Sequence, residues 1–160
     1  MPAKIMHRRK IMIKNKIQVQ INRPVETVFA FVVEPANTVQ WLDVVSEAGK
    51  TSEGELGVGS VYRQLFRLRG ETNQEMFFEI TVFEPNQSMA FRRKGGQYPI
   101  SGVYTFEANG DGTLLTYDEE AGPDKLIPNL IAKLITGRLI RRQLEADFAT
   151  LKLILEGKTE

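Results

Sequence analysis

The run DKLIPNLIAKLITGRLIRRQLEADFATLKLILE, Asp124–Glu156, sets the architecture of the chain. Its apolar residues Leu126, Ile127, Leu130, Ile131, Leu134, Ile135, Leu139, Ile140, Leu144, Phe148 and Leu151 recur at i, i+3, i+4 spacing. Lys133, Arg138, Arg141, Arg142, Glu145, Asp147 and Lys152 fill the opposite face. This predicts one amphipathic helix, on the order of 45–50 Å long at ~1.5 Å per residue. Gly137 marks a bend, a close contact or merely a tolerated helical glycine. A helix with one apolar stripe needs a surface to cover it, and the preceding sequence supplies a sheet.

Working back from Gly122-Pro123, the period is two. Ser60–Arg69 sets Tyr62, Gln64, Phe66 and Leu68 against Arg63, Arg67 and Arg69. Met76, Phe78, Ile80 and Val82 oppose Glu75, Glu79 and Thr81. Such alternation predicts strands with the aromatics inward and the charges in water. Met89–Lys94, Ile100–Glu107 and Thr113–Glu120 are three more strands. Glu84-Pro85-Asn86-Gln87, Gly95-Gly96 and Asn109-Gly110-Asp111-Gly112 are the turns between them, the last a strong hairpin signal. Gly54–Gly59 is also a turn; no helix N-terminus and no Lys-Ser/Thr pair follow it, so it lacks what a phosphate loop needs.

Further back, Ile11, Ile13, Ile17, Val19 and Ile21 alternate with Lys14, Lys16, Gln18 and Gln20 as a first strand. Pro24 then starts a short helix to Val33, carrying Val25, Val28, Phe29 and Val32 at helical spacing. Pro35 opens a second short helix containing Val39, Trp41 and Leu42. The expected fold is therefore α+β. A curved antiparallel sheet of about six to seven strands wraps the long C-terminal helix, and two short helices after strand 1 plug one end. One domain is expected over 11–157, after a flexible basic segment 1–10.

Composition narrows the function. The 160 residues are 42% apolar and 26% charged, which suits an ordinary globular domain. A net charge of +1 gives no field to attract nucleic acid. There is no cysteine, which excludes disulfides, thiolate nucleophiles and cysteine metal sites. No apolar run approaches the ~18 residues that a membrane span needs. Met1–Lys10 is basic without an apolar signal core, so a cytoplasmic protein is expected.

Several motifs in order resemble one superfamily. Ile21-Asn22-Arg23-Pro24-Val25-Glu26-Thr27-Val28-Phe29 is similar to the opening of the START-like, SRPBCC superfamily, in its polyketide cyclase/dehydrase and lipid-transport branch. Trp41 stands where that family has its tryptophan after the second short helix. Gly57-Val58-Gly59-Ser60, Phe83-Glu84-Pro85-Asn86, Gly112-Thr113 with Leu115 and Tyr117, and Leu151–Glu156 also match. The resemblance covers roughly Ile11 to Glu156. It implies the helix-grip fold of the birch-pollen allergens and a hydrophobic cavity, without naming a reaction.

Within that frame, Trp41, Phe66, Met76, Phe78, Phe91 and Phe106 are expected to line the wall, or to be ordinary core. Tyr62, Gln64, Tyr104 and Tyr117 offer hydrogen-bonding groups there, unless they satisfy one another. Ile127, Leu130, Ile131, Leu134 and Ile135 lie nearest the mouth, while Leu144, Phe148 and Leu151 form the tightly gripped part. Glu119 shares the inward parity of Leu115 and Tyr117. It is a candidate acid or base, or else sits at a wet rim or pairs with Arg93. Arg93 is a candidate for a ligand carboxylate, or a rim charge. His7, the sole histidine, lies in the basic segment, and Asp118, Glu119 and Glu120 alternate across a strand; neither metal nor cofactor is expected.

Three readings follow. The first is a binding or carrier protein for a lipid, isoprenoid or polyketide-like molecule. The second is a cyclase or dehydrase using the same cavity. The third is a protein-interaction module with a vestigial cavity, working through the outward Arg63, Arg67 and Arg69 stripe or the basic segment. No integral membrane segment is expected, and the chain is expected to be a monomer or weak homodimer.

Overall fold

Alternation of apolar and polar residues produces seven strands that form one antiparallel sheet. The computed structural model describes residues 12–67, 73–96, 98–122 and 130–157, with side chains from 135 in the last segment. In chain order the elements are β1 (Ile13–Ile21), α1 (Val25–Val33), a 3-10 helix (Pro35–Gln40), β2 (Val45–Lys50), β3 (Val61–Phe66), β4 (Gln74–Glu84), β5 (Ser88–Lys94), β6 (Ile100–Asn109), β7 (Gly112–Ala121) and α2 (Leu130–Leu155). The sheet order is β1-β7-β6-β5-β4-β3-β2. Five hairpins thus run consecutively from β2 to β7, and β1 joins the far side of β7.

Register aligns the inward side chains in rows across the strands. Ile17, Tyr117, Tyr104 and Met89 stand side by side on β1, β7, β6 and β5. The next row is Asn15, Glu119, Gly102, Phe91 and Ile80. Gly102 is there for a steric reason. A Cβ at that position would lie 2.5 Å from Phe91 Cζ and 2.8 Å from Tyr117 Cε2, so the two rings cover the bare backbone.

Three expectations are corrected. Pro24 sits at the N-cap of α1 rather than inside it. The second short helix is a 3-10 helix that ends at Gln40; Trp41 and Leu42 follow it. Val82 faces outward, because the β4–β5 register shifts between Ile80 and Val82. That bulge inserts one residue and reverses the parity, turning Phe83 towards the core in its place. Leu68 and Arg69 lie outside the described residues, as do 1–11.

α2 has 26 described residues, about 39 Å at ~1.5 Å per residue. The expected first turns, Asp124–Asn129, lie outside the described residues. Phe148, Leu151 and Leu155 are buried in the core. The C-terminal end of α2 is tied to the β1–α1 turn. Arg23 Nη1 donates to the Leu155 carbonyl at 3.1 Å, and the Asn22 N–H donates to Glu156 Oε1 at 2.8 Å. Lys152 Nζ donates to the Gln20 carbonyl and to Glu156. Towards its other end the helix is more open: Ile135 and Leu139 are exposed although apolar.

On the outer face, Arg63 pairs with Glu47 and Glu75, and Arg92 with Glu79. The expected arginine stripe is therefore partly neutralised within the sheet. Arg67 is exposed at the end of β3.

Candidate functional site

A sheet that curls around a helix cannot touch it along its whole length. Between the inner face, α1, the 3-10 helix and α2 lies a cavity of about 810 Å³. Its wall from the sheet contains the expected Tyr62, Gln64, Phe66, Met76, Phe78, Phe91, Tyr104, Tyr117 and Glu119. Trp41 and Phe106 are not on it. Trp41 packs edge-on against Phe148 with centroids 5.2 Å apart, and Phe106 packs edge-on against Phe29 of α1 at 5.0 Å. Ile127 and the side chains of Leu130, Ile131 and Leu134 lie outside the described residues. Leu144 and Phe148, expected to be solidly gripped, both border the cavity, while Leu151 is fully buried in the core.

The aromatic floor is continuous. Tyr104 stacks on Tyr117 with ring centroids 4.6 Å apart, and Tyr117 stacks on Phe148 at 5.5 Å. Tyr62 stacks on Phe78 at 5.4 Å. Each tyrosine is almost completely buried as a residue. Burial first, and then neighbouring acids and tyrosines, pushes the hydroxyl pKa of Tyr104 and Tyr117 upward; burial and Tyr104 do the same for Tyr62. All three therefore stay neutral hydroxyls at any ordinary pH. None of them makes a hydrogen bond to another described residue, so they do not satisfy one another.

Polar groups enter from three sides. Gln64 Nε2 donates to Thr38 Oγ1 at 3.1 Å, and Thr38 donates on to the Pro35 carbonyl at 2.7 Å, which ties β3 to the 3-10 helix. Glu119 projects from β7; burial lifts its carboxyl from 4.5 to about 7. Asp147 projects from α2 and is buried, which corrects its expected place on the charged face. Its Oδ1 accepts from Gln143 Nε2 at 2.9 Å and from the Asp43 N–H at 3.3 Å. Burial still raises its pKa, against those two hydrogen bonds.

Arg93 does not pair with Glu119. It donates to the Tyr98 carbonyl at 3.4 Å, and its guanidinium lies 5.5 Å from the centre of the Tyr98 ring. Tyr98 itself borders the cavity, whereas Arg93 is not among the described residues that line it.

Val32, Val33, Pro35, Thr38 and Leu42 also line the site, and inward parity could not have found them. They come from α1 and the segment after it, whose position over the sheet is a tertiary fact. Met89 carried a signal that was passed over, since it shares the parity of Phe91. Among the described residues no three His, Cys, Asp or Glu side chains converge as metal ligands, and no helix is long and apolar enough to cross a membrane.

The family model for polyketide cyclase / dehydrase and lipid transport matches residues 12–156. The chain belongs to the polyketide cyclase / dehydrase and lipid transport family. Solved structures agree on the fold. The Zhui aromatase/cyclase from Streptomyces sp. R1128 is 16% identical with a TM-score of 0.75, the match covering 94% of this chain and 97% of that one. Protein TTHA0849 from Thermus thermophilus is 15% identical with a TM-score of 0.75, covering 92% and 99%. Ara h 8.0201 is 11% identical with a TM-score of 0.68, covering 92% and 99%. At these identities the likeness is one of fold. A comparison with curated protein sequences finds no match.

Proposed function

We propose that the protein binds a hydrophobic small molecule, such as a lipid, isoprenoid or polyketide-like compound, between sheet and helix as a binding or carrier protein. The observation that carries this reading is the cavity of about 810 Å³ with its aromatic floor. Small-molecule sites are typically ~300–1,000 Å³, mostly apolar, with a few placed polar groups. Tyr62, Gln64, Tyr104 and Tyr117 supply such groups here, and Phe66, Met76, Phe78 and Phe91 supply apolar contact. The test is native mass spectrometry on protein purified from its own cells, followed by denaturing extraction. A stoichiometric apolar compound is the expected result. Protein that carries nothing and takes up no hydrophobic probe would turn attention to a protein-interaction role.

One observation favours a second reading, a cyclase or dehydrase. Glu119 titrates near neutrality in an apolar setting, as a general acid or base must. On that reading Glu119→Gln keeps ligand affinity and loses turnover of a bound polyketide. Unchanged turnover would remove Glu119 from the chemistry.

A further inference from the structure

The charges around the cavity define what its ligand can be, on the reading that the cavity is a binding site. Two carboxyl groups border it, and among the described residues that line it there is no lysine, arginine or histidine. Asp147 is engaged by Gln143 and by the Asp43 N–H. Glu119 has no hydrogen bond or ion pair with any described residue.

The flanking strands cannot change that. Register sets Glu119 between Asn15 of β1 and Gly102 of β6, neither of which carries charge. The space over Gly102 belongs to the Phe91 and Tyr117 rings. Arg93, on the inward parity of β5, is turned to Tyr98. On β1, Lys14 points outward and pairs with Glu120 at 3.2 Å. Across the cavity, α2 offers Gln143 and Asp147. Tyr104 and Tyr117, whose neutral hydroxyls have no partner among the described residues, stand near Glu119. A ligand anion placed here would meet a carboxylate and no countercharge among the described residues, which a low-dielectric site penalises heavily. A ligand hydroxyl or ammonium would instead give Glu119 the donor it lacks.

We propose that the cavity selects hydrophobic molecules whose polar end is a hydrogen-bond donor, a hydroxyl or an amine, and rejects molecules that end in a carboxylate or another anion. Three compounds on one ring system separate the cases: 2-naphthalenemethanol, 2-naphthylmethylamine and 2-naphthoate. Their affinities are measured by titration calorimetry at pH 8, with uptake of the uncharged dye Nile red as a control for the cavity itself. The alcohol and the amine should bind, and the carboxylate at least about tenfold more weakly. Glu119→Gln, which keeps the shape of the side chain, should narrow that gap by about tenfold. Equal or tighter binding of 2-naphthoate by the wild type overturns the proposal and leaves the binding reading standing. So does a gap unchanged in Glu119→Gln that folds normally, because the selection would then lie elsewhere. Failure to take up Nile red or any of the three overturns the binding reading, and the selection with it.

Discussion

Glu119 is a carboxyl group that burial holds near neutrality, and this links the site to stability. Its folded pKa of about 7 lies above its ordinary 4.5, so folding favours the protonated form. Below about pH 4.5 both folded and unfolded chains are protonated, and Glu119 costs nothing. Between 4.5 and 7 the unfolded chain loses its proton while the folded one keeps it, so stability falls as pH rises. Above 7 the loss is complete, on the order of 3 kcal/mol at most. Glu119→Gln should therefore leave stability little changed at pH 4.5 and raise it at pH 8.5, as read by urea unfolding at the two values. Equal effects at both would show that burial is not what holds the carboxyl. The sequence carried half of this. The parity of Leu115, Tyr117 and Glu119 points the side chain inward, but its lack of a partner depends on Arg93 choosing Tyr98, which is a matter of three-dimensional reach. Asp147 was illegible for a related reason. A charged residue on an amphipathic helix reads as solvent-facing until a backbone N–H from a distant segment, here that of Asp43, is found to reach it.

α2 tests what a single glycine contributes to an element. A Cβ added at Gly137 would meet only Ile13 Cγ2, at 3.7 Å, an ordinary contact. Alanine is also the better helix former and restricts the unfolded chain. Gly137→Ala should stabilise the protein by about 0.5–1 kcal/mol, raising Tm by ~1–4 °C in a thermal scan. A lower Tm would mean that the close approach of α2 to β1 depends on glycine. Elements were the most legible level of the chain, since each strand and the long helix have their own period. What escaped was local. The bulge after Ile80 leaves no mark in the pattern beyond Val82 standing where a buried residue was due. The 3-10 rather than α geometry at Pro35–Gln40 likewise left no mark in the pattern.

At the scale of the whole molecule, the cavity couples ligand to fold. A compound that binds only the folded state at ~100 times its Kd stabilises it by about 2.7 kcal/mol. Saturating 2-naphthalenemethanol should therefore raise Tm by several degrees; a compound seen to bind by calorimetry without any shift would be binding the unfolded chain equally well, and so not in the cavity. The sheet and its helix could be drawn from the sequence, but the cavity could not be sized. It is lined in part by Val32, Val33 and Leu42, whose packing over the sheet no periodicity encodes.

Pairing of β1 with β7 also has a consequence for synthesis. Gln18 Nε2 reaches Thr116 Oγ1, a partner 98 residues later in the chain. At a ribosomal rate of ~5–20 residues per second, β1 waits some 5–20 seconds for β7, its neighbour in the sheet. The hairpins from β2 to β7 can close as they emerge, each from local contacts. The helix that covers their aromatic inner face is made after all of them. A nascent chain thus holds an uncovered greasy surface until α2 has been made. Any hydrophobic cargo present at that moment meets the open trough directly and need not pass a finished gate, so loading during birth is a route this topology offers.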